Sequence, residues 1–195
     1  MRSLRALFAC LLAAWVAGCG GGEPPKFRLT DITGASFGAR LDLTDHTGKP
    51  RTLADFRGKV VTVFFGFTHC PDVCPTTLAE MAQVVKALGP EGDKVQVLFV
   101  TVDPERDTQQ LLAQYVPAFH PSFLGLRGDA EATARAAKEF KVYYRKQPLK
   151  GGGYSVDHSA ATFILDRQGR LRLYAQYGQG AEALLHDIRI LLGMS

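Results

Sequence analysis

Cys70 and Cys74 bracket three residues in the run Cys70-Pro71-Asp72-Val73-Cys74, between an apolar stretch and a helical pattern. Thiolates are strong nucleophiles and soft metal ligands, so a neighbouring pair forms a disulfide, holds a metal ion, or alternates between the two. Two intervening residues favour rapid disulfide exchange. Three place the sulfurs about one helical turn apart on the same side, where they can close a disulfide or pinch a soft ion. Pro71 and Pro75 stiffen the loop and its exit. An inert structural disulfide is the plain alternative. It would be a weak staple, because cross-link stabilisation grows with the loop closed. A strand that runs into a cysteine loop opening a helix also favours the thiolate, through the free N–H groups and dipole of the helix start.

The other two cysteines belong to the N-terminus. Arg2 and Arg5 precede the apolar run Ala6 to Ala17, which is too short for a comfortable permanent span, so residues 1–18 read as an export signal. The run ends in Val16-Ala17-Gly18-Cys19, which resembles a bacterial lipobox whose cysteine becomes lipidated. A plain secretory cleavage site is the alternative. Cys10 then leaves with the signal and Cys19 carries lipid. Gly20-Gly21-Gly22-Glu23-Pro24-Pro25 serves as a tether within a lipid-anchored linker over 19–32. Residues 33–195 are expected as one domain, held at the cytoplasmic membrane of a bacterial envelope and facing outward into the periplasm, with Cys70 and Cys74 its only free thiols. An oxidising compartment suits a redox or metal pair.

Composition narrows the function classes. The 195 residues are 46% hydrophobic and 22% charged with a net charge of +4, the balance of one globular domain plus a short segment. No Lys/Arg stripe is interleaved with aromatics, so a nucleic-acid partner is not expected.

The elements that must position the cysteines are legible from periodicity. Phe37 to Lys59 alternates around Asp45-His46-Thr47-Gly48 and Arg57-Gly58, suiting an N-terminal hairpin. Val60 to Phe67 is a continuous apolar run, as for a strand buried on both faces, and it feeds the cysteine loop. Leu78, Met81, Ala82, Val85 and Leu88 recur at three- and four-residue steps, so a helix is predicted from about Cys74 to Gly89-Pro90. Val95 to Val102 is a second buried strand, and Asp107 with Gln110 predicts a capping box for a helix through Tyr115. Asp129 to Phe140 reads as a third helix. Ala161 to Leu165 and Arg170 to Tyr177 form a hairpin about Arg167-Gln168-Gly169, and a last helix covers Ala181 to Leu192. Such alternation implies α/β architecture around a parallel core.

Three ordered blocks then carry a resemblance: Phe64-Phe65-Gly66-Phe67-Thr68-His69-Cys70-Pro71-Asp72-Val73-Cys74-Pro75-Thr76-Thr77-Leu78, Val102-Asp103-Pro104-Glu105-Arg106-Asp107-Thr108 and Val156-Asp157-His158-Ser159. Together they resemble the Sco/SenC family from about Gly34 to the last helix. The resemblance implies a thioredoxin-like three-layer fold, here with an N-terminal β-hairpin extension. It also implies copper, as Cu(I) or Cu(II), bound by Cys70, Cys74 and His158, and a role in assembling the dinuclear copper centre of cytochrome c oxidase. Two thiolates and an imidazole are a soft three-coordinate set suited to Cu(I), whereas structural zinc wants a fourth ligand. His158, otherwise an unremarkable histidine before a strand, gains weight from Ala161. That residue stands where thioredoxins place a cis-proline facing their cysteines, leaving room that His158 could fill from a loop made mobile by Gly151-Gly152-Gly153. His69 is read as a neighbouring or surface residue, His46, His120 and His186 as non-ligands, and Asp72 and Asp157 as carboxylates able to tune a ligand. The role of Asp103 to Asp107 is open.

Two function classes follow. One is a copper metallochaperone without small-molecule turnover, whose partner is an oxidase copper-site subunit or another copper chaperone. The other is a membrane-anchored thiol–disulfide oxidoreductase or redox sensor, with Cys70 the attacking thiol. A peroxiredoxin-like reading lacks the Pro-x-x-x-Thr-x-x-Cys pattern before Cys70. His158 discriminates the two classes, because dithiol exchange requires no histidine.

Overall fold

The structure, a computed structural model, describes residues 25–194. Its centre is β4 (Val60–Gly66), seven consecutive buried residues, paired in parallel with β5 (Val95–Thr101). Side chains alternate across the pleat. Val60 and Phe64 point into one core and Val61, Val63 and Phe65 into the other, so an uninterrupted apolar run is what a strand covered on both sides requires.

Helix α1 (Val73–Ala87) buries Leu78, Met81 and Val85 against the first face, at the spacing read from the sequence. The same face takes Leu112 of α2 (Gln109–Tyr115) and Leu184, Ile188 and Leu192 of α4 (Gly180–Leu192). Ala136 and Ala137 of α3 (Ala130–Glu139), with Phe140, cover the opposite face. Helix, sheet and helix make the three-layer α/β arrangement that was expected.

The remaining strands complete the sheet. They are β1 (Thr30–Asp31), β2 (Leu43–Asp45), β3 (Pro50–Arg51), β6 (Leu124–Arg127), β9 (Ala161–Leu165) and β10 (Leu171–Gln176), giving the order β1-β10-β9-β4-β5-β6-β2-β3. β6 continues the parallel pairing, while β9 and β10 close the other side antiparallel. The hairpin β2–β3 turns at the expected Asp45 to Gly48 and joins the sheet edge through β6.

Several elements differ from the sequence reading. β6 has no strong sequence signal, being four residues long and containing Gly125, whose missing side chain lets Val116 and Leu112 pack close. Helix α2 is capped by Thr108, whose hydroxyl accepts from Leu111 N at 3.1 Å. Asp107 is unavailable for the anticipated capping box because its carboxylate is turned into the protein interior. The segment expected as linker to residue 32 enters the fold earlier. Arg28 and Leu29 N–H groups donate to the buried Asp187 carboxylate of α4 at 3.0 and 2.8 Å, and Thr30 pairs with Tyr174.

The largest difference concerns Gly151-Gly152-Gly153. These glycines form the tip of a second, two-stranded sheet, β7 (Tyr144–Pro148) with β8 (Tyr154–His158), closed by hydrogen bonds between Leu149 and Gly152 and between Leu149 and Gly153. Positive φ at Gly152 and Gly153, 91° and 75°, accounts for glycine there. His158 therefore ends a strand; it does not ride on a swinging loop.

Candidate metal centre

The cysteine loop is placed by the end of β4. After Gly66 the chain passes Phe67 and Thr68, Cys70 N donates to Phe67 O at 3.2 Å, and α1 opens at Val73. Cys74 is the second residue of that helix and fully buried; Cys70 precedes it and is partly exposed. Gly66 is the floor beneath them. A Cβ there would lie 2.7 Å from Cys74 Sγ, 2.8 Å from Phe99 and 2.9 Å from Phe64, so only glycine leaves room for the sulfur.

His158 reaches the pair from the far side. Its Nε2 lies 3.6 Å from Cys74 Sγ, although the two residues are 84 positions apart in the chain. Cys70 Sγ, Cys74 Sγ and one imidazole nitrogen all fall within 4.8 Å of one another, and this is the only such cluster of potential ligands among the described residues. The imidazole is held on three sides. Nδ1 is 3.1 Å from Ser159 O, which can only accept, so Nδ1 carries the proton and the Nε2 lone pair faces the sulfurs. Phe64 and Phe67 meet the ring at 74° and 89° with centroids 6.1 and 5.8 Å away.

The two thiols are inequivalent. A hydrogen bond from Cys74 holds the Cys70 thiol far below the ordinary thiol range; burial opposes this, and the Asp72 and Cys74 N–H groups reinforce it. Cys74 is pushed far up by donating that bond and by burial. The pair is thus biased towards a thiolate at the partly exposed Cys70 and a thiol at the buried Cys74. A thiophilic cation replaces the shared proton and gains both sulfurs.

The other candidates lie outside the cluster. His69 Nδ1 is 3.1 Å from the Thr68 hydroxyl and 3.9 Å from Asp107. His46 accepts from Gly125 N at 3.1 Å, His120 bonds Ser122 and His186 bonds Asp187. Asp157 accepts from Gln147 across the β7–β8 hairpin at 2.7 Å, and Asp72 is 3.4 Å from the Thr76 hydroxyl, so neither carboxylate orients a cluster residue. Ala161 opens β9 and is buried, and no cis peptide occurs among the described residues. Cys10 and Cys19 lie outside the described residues, so the signal and lipidation readings meet no structural observation. Sequence reasoning missed the role of Gly66 and the β7–β8 hairpin. The alternation flanking the glycine triplet, Tyr144-Arg145-Lys146-Gln147-Pro148 before and Tyr154-Ser155-Val156-Asp157-His158 after, was the available signal.

Parallel and antiparallel strands with helices on both faces, and a cysteine pair at the mouth of the helix after the central strand, define a thioredoxin-like domain, here with a histidine brought against the sulfurs. The chain belongs to the SCO1/SenC family, whose sequence pattern matches residues 30–193. It is 46% identical to the mouse mitochondrial protein SCO2 homolog over 152 residues, 76% of this chain and 60% of that protein. Against the human protein SCO2 homolog the identity is 43%, covering 75% of this chain and 56% of that one. The chain thus spans less than two thirds of these relatives' lengths. Among solved structures, Bradyrhizobium japonicum ScoI with copper bound is 39% identical at a TM-score of 0.74, covering 80% of this chain and all of that one (100%). The apo Sco1 of Thermus thermophilus is 42% identical at a TM-score of 0.77, covering 88% of this chain and 100% of its own. Among the described residues no helix is long and apolar enough to cross a membrane.

Proposed function

We propose that this protein is a copper metallochaperone that takes copper on Cys70, Cys74 and His158 and passes it to the dinuclear copper site of a cytochrome c oxidase. The observation that carries the reading is the convergence of two sulfurs and an imidazole nitrogen within 4.8 Å. Two thiolates and one imidazole form a soft set with no fourth His, Cys, Asp or Glu in the cluster among the described residues, which fits Cu(I) and not structural zinc. The copper-bound relative from Bradyrhizobium japonicum supports the same choice of metal. Three ligands with one partly exposed sulfur suit a cargo site, because an acceptor's thiol can approach Cys70 and exchange ligands stepwise. Lipidation at Cys19 and an outward-facing position on the cytoplasmic membrane complete the proposal, supported by the lipobox-like sequence.

The second reading, reduction of a partner's cysteines, is favoured by the thiolate–thiol pair itself. A partly exposed Cys70 with a lowered pKa, backed by a buried Cys74, is the arrangement of attacking and resolving thiols. An anaerobic Cu(I) competition titration separates the readings. Wild type binds tightly, and Cys70→Ser, Cys74→Ser and His158→Ala each lose about tenfold or more. Unchanged affinity in His158→Ala refutes the three-ligand site. Negligible copper binding by wild type, with rapid reduction of a partner disulfide, establishes the oxidoreductase.

A further inference from the structure

The two halves of the site come from separate pieces of the fold, and one short turn grips both. Asp103 to Asp107 links β5 to α2, with Asp107 N donating to Asp103 O at 2.9 Å. Asp107 is fully buried and accepts from Thr68 N at 3.0 Å, from the Thr68 hydroxyl at 2.6 Å and from the Thr101 hydroxyl at 2.6 Å. Thr68 lies two residues before Cys70, so this carboxylate pins the entrance of the cysteine loop to the end of β5.

The other end of the turn grips the hairpin. Asp103, also fully buried, accepts from Arg106 Nε and from the Tyr154 hydroxyl, the latter at 2.8 Å. Arg106 Nη1 donates to Tyr154 O at 2.8 Å, and its guanidinium lies 3.8 Å from the centroid of the Tyr154 ring and 5.8 Å from that of Phe67. Phe67 is the ring against which His158 stands edge-on. Lys146, on the other strand of the hairpin, bonds Glu105 of the same turn at 2.6 Å.

The hairpin needs such a hold. β7 and β8 pair only with each other, apart from the eight-stranded sheet, and a two-stranded ribbon alone is marginal in water. Tyr154 begins the strand that His158 ends. Fixing Tyr154 therefore fixes the direction along which the imidazole is delivered to the sulfurs. We infer that Asp103, Arg106 and Tyr154 are positioning residues for His158: with Asp107 they make the Asp103–Asp107 turn a strut that sets the distance between the cysteine loop and the histidine hairpin.

The inference rests on the three-ligand reading, and its test separates the two. Cu(I) affinity is measured for wild type, Arg106→Ala, His158→Ala and the double variant, and amide hydrogen exchange is followed in the metal-free proteins. Arg106→Ala is expected to weaken copper about tenfold when His158 is present and to have no effect once His158 is alanine, as for groups that act by orienting a ligand. Amides of β7 and β8 exchange faster in Arg106→Ala, while those of α1 and β4 do not. Equal losses in both backgrounds, or unchanged exchange in the hairpin, overturn the strut. If His158→Ala alone leaves affinity intact, the ligand reading fails, and the exchange data still decide whether the turn anchors the hairpin. Tyr154→Phe deletes only the hydroxyl and keeps the ring beneath Arg106. It is expected to act in the same direction by a smaller factor, and it carries the test should Arg106→Ala fail to fold.

Discussion

Gly66→Ala is the smallest change that should damage this site. The added methyl would meet Cys74 Sγ at 2.7 Å, against 3.4–4 Å for ordinary contact, so something must retreat by about 0.7 Å. The backbone cannot easily do so, because Gly66 lies in the parallel ladder opposite Thr101, in a strand held on its other edge by β9. Phe99 and Phe64, the other close neighbours, are 0% and 2% exposed and packed on each other at 6.2 Å. The freest group is the Cys74 sulfur, which rotates about one bond, and its retreat disturbs its 3.6 Å approach to His158. Overpacking of this kind costs about 1–3 kcal/mol, which for a domain of this size lowers Tm by roughly 4–8 °C at the middle of the range. The structure therefore calls for two linked losses in Gly66→Ala, a lower Tm by calorimetry and weaker Cu(I) binding in the competition titration. Tm within a degree of wild type together with unaltered copper affinity would refute the placement of Cys74 against the floor of the site.

Two further outcomes follow from charge. In metal-free protein Cys70 should react with iodoacetamide at a rate nearly independent of pH between about 6 and 8, because its thiolate is already formed, while Cys74 stays protected; peptide mapping that shows Cys74 labelled first would contradict this. Asp45, buried yet held down to about 2 by hydrogen bonds from Thr47, Arg51 and Lys49 that outweigh its desolvation, stabilises the β2–β3 hairpin. A depressed carboxyl pKa contributes above its unfolded value of 3.8 and is lost as pH falls through about 2. Asp45→Asn should thus cost about 2 kcal/mol in urea unfolding at pH 7, and the deficit should shrink steadily below pH 4.

Much of this was readable before folding. Val60 to Phe67 could only be a strand covered on both faces, because an unbroken apolar run finds no solvent side, and Leu78, Met81 and Val85 could only be one face of a helix. Local chemistry marked Cys70 and Cys74, since helix mouth and short spacing act within a few bonds. His158 entered through the resemblance of its block, because nothing near it in the chain announces a ligand. Only the tertiary structure placed it against Cys74, showed that the glycine triplet turns a hairpin in place of loosening a loop, and drew Asp107 away from its expected cap. The division has a physical cause. Periodicity, caps and thiol spacing are set by neighbours along the backbone, whereas the approach of Nε2 to a sulfur 84 positions away, the close packing of Cys74 and Phe99 over Gly66 and the grip of Asp103 on Tyr154 exist only once the sheet has brought distant segments together.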